Sequence, residues 1–283
     1  MATVENLESL SYDLPLARHV IEGLGIGGLH CGCGDIYLGK NWLNTDLAKL
    51  SDSTGNESKS GAIALVNDDY YYLEHDATAA FPLDNEVFDW IFAEHFIEHI
   101  TTPQAVFWLK EAKRMLKPGG IIRLSTPNLC KYANVNYDAR AAFFKEHHSR
   151  CFSPVLEGEF RNIDNLSLEQ IKSFVEGVSI IDPGMDVSYC QDIKRDLVFR
   201  NSVFERLVKL SSRPAFMINQ IFYLFGHKWI YDLDEVALVA QKAGFEATDI
   251  HERGFRQGDV EELYTLDQPI RDDESLYVEI YKR

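Results

Sequence analysis

The sequence lacks any apolar run near the roughly 20 residues that cross a bilayer, so no membrane partner is expected. Its opening stretch, MATVENLESLSYDLP, has neither a basic start nor an apolar core, and so does not read as a secretory signal. Cysteine is scarce. The five present, Cys31, Cys33, Cys130, Cys151 and Cys190, are odd in number and scattered. They suit reduced thiols in a cytoplasmic protein better than a disulfide framework. No second cysteine pair at zinc-site spacing accompanies Cys31 and Cys33, so no metal is expected. Basic side chains are also in the minority: 28 against 44 acidic ones, a net charge of −16. A phosphate backbone would be repelled by most of such a surface, which disfavours nucleic acid as a partner. Internal repeats are lacking too.

What is present is 283 residues with 46% hydrophobic content, enough for one elaborated domain or two small ones. PLARHVIEGL (15–24) carries apolar residues at helical spacing, and the glycines of GLGIGG then stop the helix. GLGIGG matches G-x-G-x-x-G, but it follows a helix and precedes a strand, the reverse of the dinucleotide order, so it reads as a terminator. Seven strands are expected: GLHCG (28–32), NWLNTDL (41–47), YYYLEHDA (70–77), VFDWIFAEH (87–95), IIRLSTPN (121–128), EATDIHER (246–253) and SLYVEIYKR (275–283). A helix fills TPQAVFWLKEAKRMLKPGG, with Thr102 and Pro103 at its start and Pro118-Gly119-Gly120 as its stop. A second helix, DLDEVALVAQKAGF, opens on Asp232 as a cap. SDSTGNESKSG (51–61) reads as an exposed loop. The alternation predicts a largely parallel α/β sheet with a ligand at the C-terminal ends of its strands. Residues 131–231 interrupt it with apolar helical stretches, read as an inserted lid or, more plainly, as helices of the outer layer.

The chemistry gathers at the expected strand ends. The glycines of LHCGCGD (29–35) let a backbone approach a ligand closely, with amides as donors. Asp46 closes the second strand and could accept both hydroxyls of a ribose, or simply cap a turn. Asp76, followed by Ala77, closes the third and could accept an adenine amino group, or again cap the strand. Glu94 and His95 close the fourth. Glu98 and His99 read as the start of a helix, with Glu98 capping it or pairing with a neighbour.

In LHCGCGD with NWLNTDL, HDATAAFPLDNEVFDWIFAEHFIEHI and EAKRMLKPGGIIRLSTPNL, the chain resembles class I S-adenosylmethionine-dependent methyltransferases. It is similar in particular to a short glycine-loop branch from bacterial biosynthetic clusters. The C-terminal HKWIYDLDEVALVAQKAGF and SLYVEIYKR share the likeness, which covers roughly residues 25–130 and 227–283. The resemblance implies a Rossmann-like α/β fold with a seven-stranded mixed sheet. Residues 1–130 would form the N-terminal segment and the cofactor-binding half, 131–231 a mainly helical substrate lid, and 232–283 the closing helix and strands. It implies that Gly32, Cys33 and Gly34 face the methionine and ribose of S-adenosyl-L-methionine, and that Asp46 holds the ribose. Asp76 and Ala77 would recognise adenine, and Glu94 and His95 would pass near the methionine end. S-adenosyl-L-homocysteine would be the product. The helix between the first two strands is nearly absent here, a departure from the family pattern that bears on Asp46.

A hydroxyl acceptor would benefit from a general base. The candidates are His147, His148 and His227, with His95 behind them; exposed or structural histidines are the plainer reading of each. Asn128 could orient a substrate, Tyr12 could fold over the cofactor, and Phe222, Tyr223 and Phe225 could line a pocket, although turn chemistry and core packing serve equally well. The expected function is methyl transfer to an O or N nucleophile of a small metabolite, natural product, sugar or modified peptide. The alternatives are a non-catalytic S-adenosylmethionine-binding protein, a nucleic-acid methyltransferase and, behind these, a nicotinamide-dependent reductase. The sequence does not set the oligomeric state.

Overall fold

The computed structural model describes residues 4–12, 14–133, 222, 226–272 and 274–283. The chain divides into two compact units. The first comprises Met1–Pro127, Tyr231–Gln268 and Ser275–Arg283; the second comprises Asn128–Ile230 and Pro269–Glu274. His147, His148, Tyr223 and Phe225 lie outside the described residues, and so does most of the segment read as a lid.

The first unit is built on a nine-stranded mixed sheet with strand order β1-β4-β5-β3-β2-β6-β7-β9-β8. The strands are β1 (Leu7–Ser9), β2 (Gly28–Cys31), β3 (Trp42–Asp46), β4 (Ile63–Val66), β5 (Tyr70–Glu74), β6 (Phe88–Glu94), β7 (Leu116–Pro127), β8 (Ile250–Arg253) and β9 (Ser275–Tyr281). β5, β3, β2, β6 and β7 run parallel. β9 lies antiparallel between β7 and β8. The seven strands expected from the sequence form one contiguous block. The expected count was two short, because β1 and β4 add to the β5 edge, both antiparallel. Three- and four-residue edge strands carry too little periodicity to be read without their partners.

One face of the sheet packs on α1 (Arg18–Gly23), α2 (Thr102–Met115) and α4 (Leu233–Lys242). α2 starts at Thr101, whose backbone N–H donates to the Gln104 side chain at 2.9 Å, with Pro103 in the first turn. It buries Ala105, Trp108, Leu109, Ala112 and Met115 along one stripe. Each large side chain so buried is worth roughly 1.5–3 kcal/mol. The Asp232 carboxylate caps α4 by accepting from the Glu235 amide at 2.9 Å.

α2 ends earlier than its sequence pattern suggests. Lys117-Pro118-Gly119-Gly120 is not a helix stop but the opening of β7. The ladder explains this: the Gly119 amide donates to the Lys282 carbonyl at 2.7 Å, and the Lys282 amide to the Gly120 carbonyl at 2.9 Å. The β6–β7 register shifts between Phe88 and Trp90, and a Cβ on Gly120 would come within 3.0 Å of the Asp89 carbonyl. The glycine therefore serves a tight bulge. EATDIHER is likewise part strand, since Ala247–Asp249 forms a 3-10 turn before β8.

The opposite face holds a buried ion network. Arg123, at the centre of β7, donates to Asp267 at 2.5 and 3.1 Å, to Glu279 at 3.3 Å and to the carbonyls of Gln257 and Gly254. All three charged side chains are fully buried. In the second unit, α3 (Leu129–Ala133) follows Asn128, whose side chain accepts from the Cys130 amide at 2.9 Å. Asn128 thus does the turn work its position suggested.

Candidate functional site

The parallel strands β2, β3, β5 and β6 deliver their C-terminal ends to one edge of the first unit. After β2 the backbone turns through left-handed geometry at Gly32 (φ +63°) and Gly34 (φ +51°). The two glycines serve different ends. A Cβ on Gly32 would meet the Phe96 ring at 2.6 Å, whereas one on Gly34 would meet nothing within 4 Å. Gly32 is required by packing, and Gly34 leaves backbone open to solvent space.

Asp46 ties this loop to β3. Its Oδ2 accepts from the Gly34 amide at 3.0 Å and its Oδ1 from the Ala48 amide at 3.2 Å. The near-absent helix is replaced by a short loop pinned by Asn44. Its Oδ1 accepts from the Leu38 amide at 2.8 Å, and its Nδ2 donates to the carbonyls of Leu38 and Tyr71. The same Oδ1 lies 3.2 Å from His30 Nδ1. His30 is buried, and burial pushes its pKa from the ordinary 6.5 down to about 4.

A cavity of about 350 Å³ opens over these strand ends, within the range of small-molecule sites. Six of the residues expected from the sequence line it: Gly32, Gly34, Asp46, Asp76, Ala77 and His95. Asp76 is oriented by Thr78, whose amide and hydroxyl donate to its Oδ1 at 2.8 and 2.7 Å. These bonds hold its carboxyl below the usual range.

Two expected residues lie elsewhere. The Cys33 side chain packs with Leu7, Leu50, Val66, Tyr70 and Tyr72 in a separate apolar cluster. Burial raises its thiol pKa and pushes that of Cys31 up to about 12. Cys31 and Cys33 are therefore core thiols, not thiolate ligands. Glu94 accepts from the Gln268 amide at 3.0 Å and does not line the cavity. Sequence reasoning missed His75, Phe96 and Ile100, which do. His75 sits beside Asp76, its pKa lowered by burial and its Nε2 3.4 Å from the Ala79 carbonyl. His227 belongs to the second unit and is half-buried; Phe222 and Tyr12 are exposed.

His95 is held most firmly. Its backbone is left-handed (φ +49°), unusual outside glycine. Its Nε2 lies 2.7 Å from Ser275 Oγ and its Nδ1 3.3 Å from Glu98 Oε1. Glu98 is fully buried in a 3-10 turn, Ile97–His99, rather than opening a longer helix, and it accepts from the Thr126 hydroxyl at 3.0 Å.

Residues 23–124 match the family described as "Methyltransferase domain". No curated protein matches the sequence. Among solved structures, the chain is similar to a SAM-dependent methyltransferase from Archaeoglobus fulgidus at 11% identity, covering 94% of this chain and 92% of that one with a TM-score of 0.40. It is similar to a SAM-dependent methyltransferase from Thermotoga maritima at 12% identity, covering 91% and 82%, TM-score 0.39. A protein from Bordetella parapertussis shares 12% identity over 94% of this chain, TM-score 0.36, and the chain spans 65% of its length. Among the described residues no helix is long and apolar enough to cross a membrane. Residues 23–124, the stretch that matches the methyltransferase-domain family, contain the glycine loop and both cavity aspartates.

Proposed function

We propose that the protein is an S-adenosyl-L-methionine-dependent methyltransferase acting on an O or N nucleophile of a small metabolite, natural product, sugar or modified peptide. The observation that carries this reading is the joining of Gly34 and Asp46 at the floor of a cavity that also holds Asp76. Gly34 suits the cofactor: a side chain there would project into the open space a ligand needs. Asp46 offers a carboxylate to ribose hydroxyls, and Asp76, fixed by Thr78, offers one to an adenine amino group. Phe96 and Ile100 supply apolar walls that exclude water.

When bound, S-adenosyl-L-methionine supplies a methyl group already activated on a sulfonium. The chain's own contribution is then positioning: holding an acceptor in line behind the methyl carbon, which can account for a large part of the acceleration. Free thiols at Cys31, Cys33 and Cys130 are compatible with action in a reducing, cytoplasmic compartment.

Calorimetry with S-adenosyl-L-homocysteine, S-adenosyl-L-methionine and NADH tests the reading. Binding of the first two without the third is the expected result. NADH binding alone would overturn it.

A further inference from the structure

We propose that His95, backed by Glu98, is the general base of this site, and that the methyl acceptor is therefore a hydroxyl, of an alcohol or a phenol, rather than an ionised carboxylate. The inference rests on the methyl-transfer reading above and adds to it the base and the acceptor class.

Three observations converge. His95 lines the cavity that holds Gly34, Asp46 and Asp76. Its Nε2 is hydrogen-bonded with Ser275, and its Nδ1 faces the Glu98 carboxylate at 3.3 Å. Glu98 is 0% exposed and is oriented in turn by the Thr126 hydroxyl. A buried carboxylate facing Nδ1 selects the tautomer that carries its proton there and leaves the Nε2 lone pair as acceptor. This is the orienting logic of a carboxylate–histidine pair. In that tautomer the Ser275 hydroxyl, 2.7 Å away, donates to Nε2, and an incoming hydroxyl must take its place there. The backbone adds to the case: His95 holds a left-handed conformation that non-glycine residues rarely adopt.

The step balances. Nε2 takes the acceptor's proton while a lone pair of the acceptor oxygen forms the new bond to the methyl carbon. The electron pair of the broken carbon–sulfur bond stays on sulfur, which becomes a neutral thioether. The imidazolium rests against the Glu98 carboxylate and later loses its proton to water. A carboxylate acceptor, already ionised, would need no such base.

Other groups pack near the pair. Thr126 reaches Glu98 from β7, Ser275 reaches His95 from β9, and His99 closes the same turn. Tyr231 stays a neutral phenol, its pKa raised by burial and then by the charge of Glu98.

Nitrogen-15 NMR of the histidine ring tests the pair without any acceptor, with His95 assigned by its loss in His95→Asn. The expected result is a dominant Nδ1–H tautomer whose proton resonance moves upfield in Glu98→Gln. A dominant Nε2–H tautomer would overturn the proposal. Turnover is then measured on a panel of phenols, sugar hydroxyls and carboxylic acids. We expect hydroxyl methylation, with kcat at least about 100-fold lower in His95→Asn and binding of S-adenosyl-L-homocysteine changed far less. Turnover confined to carboxylic acids, no hydroxyl accepted, or a His95→Asn enzyme within a few-fold of wild type would each sink it. If the wild-type protein binds no S-adenosyl-L-homocysteine, it is the methyl-transfer reading that fails, whatever the tautomer.

Discussion

The Gly34 amide donates to the Asp46 carboxylate at 3.0 Å, which ties the loop after β2 to the end of β3. Replacing Asp46 by Ala removes this tie and the ribose acceptor together. We expect affinity for S-adenosyl-L-homocysteine to fall about 10- to 100-fold, roughly 1.4–2.8 kcal/mol, with the circular dichroism spectrum unchanged. Unaltered affinity in calorimetry would show that the ribose is held elsewhere.

The two loop glycines should separate folding from binding. Gly32→Ala forces a methyl against the Phe96 ring in a left-handed backbone. It should cost about 2–4 kcal/mol of stability in urea unfolding. Gly34→Ala meets no atom and should cost about 1 kcal/mol, yet weaken the cofactor analogue more than any loss of stability explains. Equal stability losses in the two variants would contradict this division.

His30 makes the fold acid-sensitive. Its folded pKa, about 4, lies below the ordinary 6.5, so the unfolded chain binds the proton first. The stabilisation is fully present above pH 6.5 and is lost as pH falls through 4, about 3 kcal/mol in all. His30→Gln should flatten that part of the stability–pH curve, and chemical denaturation between pH 7 and pH 4 measures it.

Arg123→Met leaves Asp267 buried without its ion-pair partner, while Glu279 keeps Arg253 at 2.8 Å. A loss of about 3–5 kcal/mol is expected. Adding Asp267→Asn should recover part of it, since the penalty lies in the uncompensated charge. If the double variant is as unstable as the single one, packing rather than charge dominates.

Much of this architecture was legible because the central strands are apolar runs ending in glycine or acid, and strand ends are where a parallel α/β sheet presents its site. Asp46 and Asp76 followed from that geometry alone. Cys33 did not, because facing cannot be counted through two left-handed glycines, and its side chain turned into the core. His75 precedes an acid that had already drawn attention, and nothing in its spacing marks it. Pro118-Gly119-Gly120 misled because a helix stop and a strand bulge use the same residues, and only the distant Lys282 decides between them. β1 and β4 were invisible for a similar reason: their partners lie far away in sequence or beyond a loop.

Those two short strands have a consequence for how the molecule behaves in a crowd. Without them, the apolar YYYLE of β5 would end the sheet and offer its unpaired amides to any passing strand. With them, the rim on that side shrinks to the three residues of β1, while the other rim is the charged IHER of β8. Short and charged rims discourage strand-to-strand association, so among the described residues neither rim of the sheet offers a long apolar template to a second chain.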